Sequence, residues 1–434
     1  MASLNYVSFN QDHSQLAVAT SRGLRLYNVD PWELATHTYE EDISLVEQLF
    51  STSLVAIILT PRLLRIINTK RHSTICELSF HSMVVAIKMN RKRLVVVSEE
   101  AVYIYDISNM KMVHTQLIPS NPYGICALSA NSDRNYLALP HYQKSPPNPQ
   151  GPPTHVPKSV TRETISGDVL LYDVNNLEEV TVIPAHQTAL SCMAINSDGT
   201  LLATASEKGT VIRVFSLPDG KTLHQFRRGS MPARIYSMSF NATSTLLVVS
   251  SATETVHIFK LASPGNTIGT PSQPHQRPNS NGTGATSPPT SQARRTSSSN
   301  FFRDRSTSPS NSETDPYSPA SPASETPSPP QTRKPPNPGL MSMMRRTSQN
   351  VSTSLVSRAA GYLPSSVTEM WEPQRDFAWV RVPRSNSTGQ PARTVVAMGN
   401  NSPQVMVATN EGGFLVYSVD LLNGGEGTLV RRYE

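Results

Sequence analysis

Short runs of β-branched and apolar residues alternate with clusters of Asn, Asp, Gly and Ser along most of the chain. Runs of this length, bounded by turn residues, are typical of β-strands, and helical periodicity is almost absent. Grouped in fours, the runs recur about every 40 residues, which is the repeat length expected of a propeller blade. Seven such groups follow one another, so the pattern predicts an all-β fold, a seven-bladed β-propeller of WD40-like repeats.

The fifth group has the clearest strands and sets the register of the others. It reads ALSCMAINSDGTLLATASEKGTVIRVFSLPDGKTLHQF, with turns at SDG, EKG and PDG, so its four strands can be placed from the turn residues. One twisted four-stranded sheet cannot cover both of its faces, whereas seven sheets in a ring bury every face except the outer rim. The repeats therefore predict a closed ring.

Two insertions interrupt the repeats. A Pro-rich insertion at residues 141–166 falls inside the fourth group, and residues 262–370 separate the third strand of the sixth group from its fourth. We therefore expect blades 1 to 6 over residues 1–261, and the end of blade 6 with blade 7 over residues 371–434. Pro, Ser and Thr dominate the long segment, which cannot bury enough apolar surface to offset its chain entropy and is expected to be disordered.

One part of this long loop has a different pattern. From Leu340 to Tyr362 the apolar residues are spaced by four and seven, close to the helical period, and arginines occupy the other sides. Residues 340–363 are interpreted either as an amphipathic helix that folds only at a membrane surface or as an inert tether.

Composition and charge narrow the classes of partner and compartment. The net charge of +6 favours acidic partners, namely nucleic acid, anionic lipid or acidic protein surfaces. Cys76, Cys126 and Cys192 stand singly, without the spacing of a disulfide framework or a zinc site, which fits a reducing, cytosolic location and no metal. No signal peptide and no apolar run of membrane-spanning length is visible, so the protein is expected to reach membranes from outside.

The motifs of common enzymes are absent from the sequence. There is no nucleophile elbow, HExxH motif or Walker loop, and the glycines of Gly424-Gly425-Glu426-Gly427 are expected in a turn of the last blade. A phosphatase would need a clustered nucleophile and acid. The sequence therefore predicts a binding protein without cofactors rather than an enzyme.

The most informative short motif is Phe226-Arg227-Arg228-Gly229, at the end of the outermost strand of the fifth group. Successive strand residues point to opposite faces, so the two arginines are expected to serve two pockets, both side chains facing solvent. The guanidinium fork matches phosphate oxygens, and Gly229 would let the chain turn and approach a ligand. Taken alone, arginines on an edge strand are more often solvated gatekeepers against aggregation.

Hydroxyl, glycine and basic residues surround both arginines at corresponding positions of blades 5 and 6. Those expected around the first pocket are Thr204, Ser206, Gly209, Thr210 and Arg213, and those around the second are Ser251, Thr253, Thr255 and His257. His186 has two open interpretations, the first pocket or the buried hydrogen-bond network of an ordinary WD repeat. In that network Lys208 and Phe215 stand where Asp and Trp would be expected.

These motifs resemble the PROPPIN family, β-propellers that bind polyphosphoinositides. The family signature, Phe or Leu followed by Arg-Arg-Gly, stands at residues 226–229, the run VHIFKL at 256–261, and EPQRDFA at 372–378 is similar to the family's return into blade 6. The resemblance covers the whole propeller and implies binding of phosphatidylinositol 3-phosphate and phosphatidylinositol 3,5-bisphosphate in two rim pockets, without catalysis. It assigns Arg227, Thr204, Ser206, Thr210 and Arg213 to the first pocket and Arg228, Ser251, Thr255 and His257 to the second.

The resemblance also implies partners and a location. Pro61-Arg62, in a loop of blade 2, corresponds to the place where autophagy members of the family dock a large lipid-transfer protein, although Pro-Arg in a turn is commonplace. A cytoplasmic protein bound peripherally to preautophagosomal, vacuolar and endosomal membranes is implied, with no nucleic-acid partner. A protein-only WD-repeat scaffold and a nucleic-acid binder using the basic loop are the alternatives, separated from lipid binding by headgroup selectivity and salt dependence.

Overall fold

In the part of the chain that the structure describes, the short apolar runs form 29 β-strands, most of them antiparallel hairpin partners of the strands next to them in the chain. The computed structural model describes residues 3–38, 42–142, 165–261, 373–384, 389, 391–399 and 402–433. The long loop at 262–370, with its predicted helix at 340–363, lies outside the described residues, as does most of the insertion at 141–166.

Blades 1 to 4 are four-stranded antiparallel sheets whose strands lie in chain order. Blade 1 contains β1 to β4, blade 2 β5 to β8, blade 3 β9 to β12 and blade 4 β13 to β16. The bounds of these sixteen strands are, in order, Leu4–Phe9, Gln15–Thr20, Gly23–Val29, Trp32–Thr38, Leu45–Gln48, Leu54–Thr60, Leu63–Asn68, Ser73–Ser79, Val84–Met89, Arg93–Ser98, Ala101–Asp106, Lys111–Leu117, Ala127–Leu128, Tyr136–Tyr142, Ile165–Asp173 and Glu178–His186.

Blades 5 to 7 follow the same plan with one addition. Blade 5 contains β17 to β20, blade 6 contains β21 to β24 together with β28, and blade 7 contains β25, β26, β27 and β29. The bounds of these thirteen strands are, in order, Leu190–Ile195, Leu201–Ser206, Val211–Ser216, Thr222–Arg227, Ile235–Phe240, Leu246–Ser251, Thr255–Lys260, Ala378–Arg381, Thr394–Met398, Gln404–Thr409, Phe414–Ser418, Gly425–Glu426 and Thr428–Tyr433.

The first strand of every blade lies innermost, and these strands surround a central channel of about 750 Å³. In the channel the Lys88 ammonium of blade 3 lies 3.5 Å from the Glu47 carboxylate of blade 2. The seven-bladed β-propeller predicted from the repeats is confirmed.

Hydrophobic residues between neighbouring blades form the core. Each cluster joins the facing sides of two adjacent sheets, as with Phe226 of blade 5 and Phe259 of blade 6. The ring closes where blade 7 meets blade 1: Trp32 stacks on Phe414 with ring centroids 4.2 Å apart and on Tyr433 at 5.1 Å. Burial on both faces explains why the middle strands of each blade are almost continuously apolar.

Blade 6 differs from the others at its outer edge. Gly425 and Glu426, expected in a turn, instead form the short strand β28, which pairs in parallel with Ala378 and Trp379 of β24. The turn prediction is wrong for these two residues because the Gly425 amide donates to the Phe377 carbonyl at 3.0 Å and draws the segment onto blade 6. The outer strand of blade 6 is therefore partly covered.

Candidate functional site

The outermost strand of blade 5, β20, presents Arg227 to the groove between blades 4 and 5. Thr204, Arg213 and Gln225 lie opposite one another across β18, β19 and β20, and Arg227 follows Gln225 by two residues. Opposed residues, and residues two apart in a strand, share a face. Apolar residues of this face, Phe215 among them, pack against blade 4. Arg227 is therefore on the side of blade 5 that faces blade 4.

Arg228 points to the other side of the blade. It follows Phe226 by two residues, and Phe226 stacks on Phe259 of blade 6 with ring centroids 4.7 Å apart. The amide of Arg228 donates to the Thr210 carbonyl at 2.9 Å, so the strand alternation continues to this residue. The two adjacent arginines thus face different grooves, the arrangement that strand geometry predicts.

The groove between blades 4 and 5 holds a group of polar residues, which we name the 4/5 cluster: His186, Thr204, Ser206, Arg213 and Arg227. Arg213 donates through one terminal nitrogen to the Ala185 carbonyl at 2.8 Å and to Nδ1 of His186 at 3.0 Å. Nε2 of His186 lies 2.9 Å from the Thr204 hydroxyl. The structure therefore brings His186, Thr204 and Arg213 into direct contact.

The protonation of His186 follows from its partners. Arginine can only donate, so Nδ1 of His186 must accept and the neutral ring carries its proton on Nε2, from which it donates to Thr204. Burial, with a smaller effect from the neighbouring Arg213 charge, lowers the pKa of His186 to about 4. His186 is thus a neutral hydrogen-bonding residue at pH 7, and Arg213 and Arg227 carry the positive charge of the cluster.

Exposure divides the 4/5 cluster into two layers. Thr204 and Ser206 are buried, at 0% and 7% exposure, whereas Arg227 is exposed. Among the described residues, the Arg227 side chain has no hydrogen-bond or ion-pair partner. Arg227 is thus available to an incoming anion, while the buried Thr204 fixes His186 through its hydrogen bond to Nε2.

The groove between blades 5 and 6 holds the second group, which we name the 5/6 cluster: Arg228, Ser251, Thr253, Thr255 and His257. The hydroxyls of Ser251 and Thr253 lie 3.0 Å apart, and Thr253 donates to the Thr255 carbonyl at 3.3 Å. His257 lies opposite Val249, whose face packs against blade 5. Arg228 and these four residues therefore flank the same groove at the same end of the blades.

Arg228 is buried, at 8% exposure, so the expectation that both arginines face solvent is wrong for this residue. Its Nε donates to the Gly209 carbonyl at 2.7 Å, and its Nη2 donates to the Met231 carbonyl. The cause is the loop after β20, which folds back over the guanidinium. Two of the five donors are used in this way, and Nη1 remains available to a ligand.

The two glycines of the site differ in what they require. Gly209 has φ +57°, and an added Cβ would lie 1.9 Å from the Ala233 carbonyl oxygen, so only glycine fits without displacement of the loop. Gly229 has no positive φ, and a Cβ there would meet nothing within 4 Å. The turn therefore does not require glycine at position 229, and the space beside Gly229 leaves the backbone accessible, so its close approach to a ligand stays a prediction.

The EPQRDFA segment, which the sequence predicts only as the return into blade 6, contacts residues of both clusters. The Gln374 carbonyl accepts from the Arg227 amide at 2.8 Å, and the Gln374 amide donates to the Gln225 carbonyl at 2.9 Å. Two residues later, Asp376 Oδ2 lies 2.9 Å from Nδ1 of His257. Asp376 stands in the EPQRDFA run, but its separation from His257 by 119 positions in the sequence leaves no local signal for this pair.

Pro61 and Arg62 form the turn between β6 and β7, and both are exposed. Their carbonyls accept from the amides of Val84 and Phe80 at 2.7 and 2.9 Å, so the turn is anchored to the start of blade 3. In the described part of the chain, no cluster of His, Cys, Asp or Glu side chains is able to hold a metal ion. The same residues include no helix that could span a bilayer.

The sequence model of the PROPPIN family matches residues 3–146 and 155–282. The chain belongs to the PROPPIN family. Among similar PROPPIN proteins, autophagy-related protein 18 of Phaeosphaeria nodorum is 54% identical over 99% of this chain and 100% of that protein. Autophagy-related protein 18 of Aspergillus terreus is 50% identical over 99% of both chains.

Solved structures share the PROPPIN fold over the full length. The structure of a complex of KlAtg21 with the coiled coil of AgAtg16 matches with a TM-score of 0.64 and 25% identity, covering 99% of both chains. Kluyveromyces lactis Hsv2 matches with a TM-score of 0.63 and 15% identity, covering 100% of this chain and 99% of that one. At this lower identity the likeness concerns the fold alone.

Proposed function

We propose that this PROPPIN is a non-enzymatic phosphoinositide effector that binds phosphatidylinositol 3-phosphate and phosphatidylinositol 3,5-bisphosphate. The 4/5 cluster takes one headgroup and the 5/6 cluster takes another. In this role the protein recruits autophagy machinery to preautophagosomal, vacuolar and endosomal membranes from the cytoplasm, and acts in vacuolar membrane dynamics.

The observation that carries the proposal is the division of adjacent arginines between two similar grooves. Arg227 and Arg228 point to opposite faces of blade 5, and each groove adds hydroxyls and a histidine from the neighbouring strands. Guanidinium groups flanked by hydroxyl donors match the geometry of phosphate oxygens. No carboxylate contacts Arg227 among the described residues, which favours an anionic ligand at that position.

Two headgroup sites in neighbouring grooves of the propeller, the 4/5 and 5/6 clusters, raise the strength of membrane attachment. After one lipid is bound, the second binding event is effectively intramolecular, which raises avidity about a hundredfold or more when the geometry permits. Arg227 acts as a direct anion ligand in this scheme. Arg228 has a structural role and a binding role in this scheme. Its Nε and Nη2 donate to backbone carbonyls, while its Nη1 faces the second headgroup.

The remaining surface serves protein partners in the proposed function. The relative KlAtg21 was solved with the coiled coil of AgAtg16, which supports a recruiting role for the propeller. Pro61 and Arg62, exposed and rigidly anchored, form the proposed contact for a large autophagy lipid-transfer protein. An Arg62→Glu variant that bound this partner as well as the wild type would reject that assignment.

One observation favours a second candidate, a protein-only WD-repeat scaffold. His186, Thr204 and Arg213 satisfy one another, and Arg228 bonds to the backbone of its own blade and loop. Such contacts also suit a purely structural network. The scaffold and the effector differ in whether binding follows the phosphate positions of the lipid.

The test is co-sedimentation of the full chain with phosphatidylcholine vesicles that each contain one of the phosphorylated phosphatidylinositols. We expect binding selective for 3-phosphorylated lipids, loss of most of it in Arg227→Thr, and near-complete loss in Arg227→Thr with Arg228→Thr. Arg71→Thr is the matched control, because Arg71 is exposed in a turn of blade 2. Its binding should equal that of the wild type.

Circular dichroism at each step separates lost binding from lost fold, since Arg228 is buried. Equal binding to every vesicle would point to charge alone. Absent binding with an intact fold would leave the protein scaffold as the function.

A further inference from the structure

The loop between blades 5 and 6 presents an uncharged, apolar tip beside both arginines. Residues 229–233 read Gly-Ser-Met-Pro-Ala and contain no charged side chain. Met231 is 75% exposed, and Pro232 beside it is also exposed. A single exposed apolar residue is common on protein surfaces. Whether this tip binds a partner therefore depends on how the loop is held and on which residues surround it.

The loop has a rigid frame. The Met231 carbonyl accepts from Nη2 of Arg228, and the Ala233 amide donates to the Lys208 carbonyl at 3.1 Å. The Arg234 carbonyl then accepts from the Ala252 amide at 2.8 Å. Gly209, without a Cβ, allows the loop to approach within contact distance of blade 5. Met231 is thus held outward at little further entropic cost for a binding event.

The surroundings of the tip are mainly basic. Arg227 precedes the loop and Lys208 is bonded to it through the Ala233 amide. Both are exposed, and Glu207 is the exposed carboxylate next to Lys208. Directly after the loop, the Arg234 guanidinium lies 4.1 Å from the centroid of the Tyr123 ring, and Tyr123 is 63% exposed. An apolar tip with flanking cations and an amphipathic aromatic residue fits the boundary between lipid headgroups and acyl chains.

We infer that residues 229–233 form a membrane-contacting loop that inserts Met231 into the bilayer interface between the two headgroup sites. The occupant is a lipid surface because the tip adjoins the two proposed anion sites, so a headgroup in either groove brings the bilayer to this loop. The inference rests on the proposed function. It adds an apolar contact that the headgroup sites do not supply, and it makes Arg228 the residue that holds this contact in place.

The test compares vesicles with a soluble headgroup. Met231→Ser should weaken binding to phosphatidylcholine vesicles containing phosphatidylinositol 3-phosphate about tenfold, because a methionine side chain leaves the apolar phase. Its affinity for water-soluble inositol 1,3-bisphosphate should stay unchanged, since the clusters keep their residues. Met231→Trp keeps an apolar side chain at this position, so it should bind vesicles like the wild type. Its tryptophan fluorescence should be quenched by brominated lipid more strongly than that of the wild type.

Met112→Ser is the matched control, because Met112 is 56% exposed on the outer strand of blade 3, away from both clusters. It should bind vesicles like the wild type. Unchanged vesicle binding in Met231→Ser, or an equal loss for vesicles and the soluble headgroup, would overturn the inference while leaving the proposed function intact. A wild-type chain that bound neither probe would instead reject the proposed function, and the inference with it.

Discussion

Arg227 and Arg228 are neighbours in the chain, yet their side chains meet opposite conditions. Arg227 is exposed and carries a charge with no protein partner in the described ranges. Arg228 is 8% exposed and donates to the carbonyls of Gly209 and Met231. The difference arises after β20, where the chain folds back over one face of the blade and leaves the other face open.

The same side chain serves two purposes at these positions, anion binding at Arg227 and support of the backbone at Arg228. An exposed guanidinium contributes little to folding and keeps all its donors for an anion, whereas a buried one must satisfy protein acceptors first. A double substitution at these positions therefore removes a ligand and a structural contact together. The two effects can be measured apart because each arginine can be changed alone.

The largest expected effect comes from the glycine whose carbonyl Arg228 holds. Gly209→Ala should lower the free energy of unfolding by roughly 3 kcal/mol, since the residue needs positive φ and its Cβ would meet the Ala233 carbonyl. Gly229→Ala is the matched control and should change the free energy of unfolding by less than about 0.5 kcal/mol. Urea denaturation of both variants is the measurement, and equal stability would contradict this account of the loop.

The second largest effect is expected from replacing the arginines, whose substitutions should differ in how far they lower the free energy of unfolding. Arg228→Thr leaves the buried carbonyl of Gly209 and the partly buried carbonyl of Met231 without their donors, so the free energy of unfolding should fall by about 2 kcal/mol. Arg227→Thr should change it by less than about 0.5 kcal/mol, because the side chain is exposed. Denaturant midpoints measured side by side test this, and a stability loss in Arg227→Thr as large as in Arg228→Thr would remove the distinction.

The histidines of the two clusters also have different partners, and for His186 this makes the stability of the fold depend on pH. His186 faces the Arg213 guanidinium and its pKa is lowered to about 4, whereas His257 faces the Asp376 carboxylate. Between pH 6.5 and 4 the unfolded chain binds a proton at residue 186 that the folded chain does not. The neutral ring thus stabilises the fold fully above pH 6.5, and this contribution is lost as the pH falls toward 4.

His186→Gln should remove this dependence, because an amide can replace both hydrogen bonds without titrating. Between pH 7 and pH 4 the wild type should lose about 1 to 2 kcal/mol more of its free energy of unfolding than the variant does. Denaturation at several pH values provides the measurement. Parallel pH profiles for the two proteins would show that His186 does not titrate as its partners require.

The fold was largely predictable because its information is local. Strand periodicity and the turns at SDG, EKG and PDG place blade 5 without any long-range information, and the closed ring follows from the repeat. β28 was missed because Gly425 reads as a turn residue, and its pairing with β24 depends on a hydrogen bond to Phe377 that no local pattern encodes.

The candidate site was predictable only in part, for the same reason. Alternation along β20 correctly indicates that Arg227 and Arg228 face different grooves. It cannot indicate that the following loop covers Arg228, because that depends on how residues 229–233 fold onto Gly209. The pair of His257 and Asp376 joins the two ends of a long insertion, so distance in sequence hides it.

The smallest expected effect comes from replacing each arginine with lysine, which keeps the charge and removes the fork. At position 228 one ammonium cannot hold both carbonyls in the arginine geometry, so Arg228→Lys should lower the free energy of unfolding by about 1 kcal/mol. At position 227 the fold should be unaffected, while vesicle binding should weaken about threefold because bidentate contact with phosphate is lost. Denaturation and co-sedimentation of the same two proteins measure both quantities. If Arg227→Lys lost stability and Arg228→Lys did not, the assignment of ligand and structural roles would have to be exchanged.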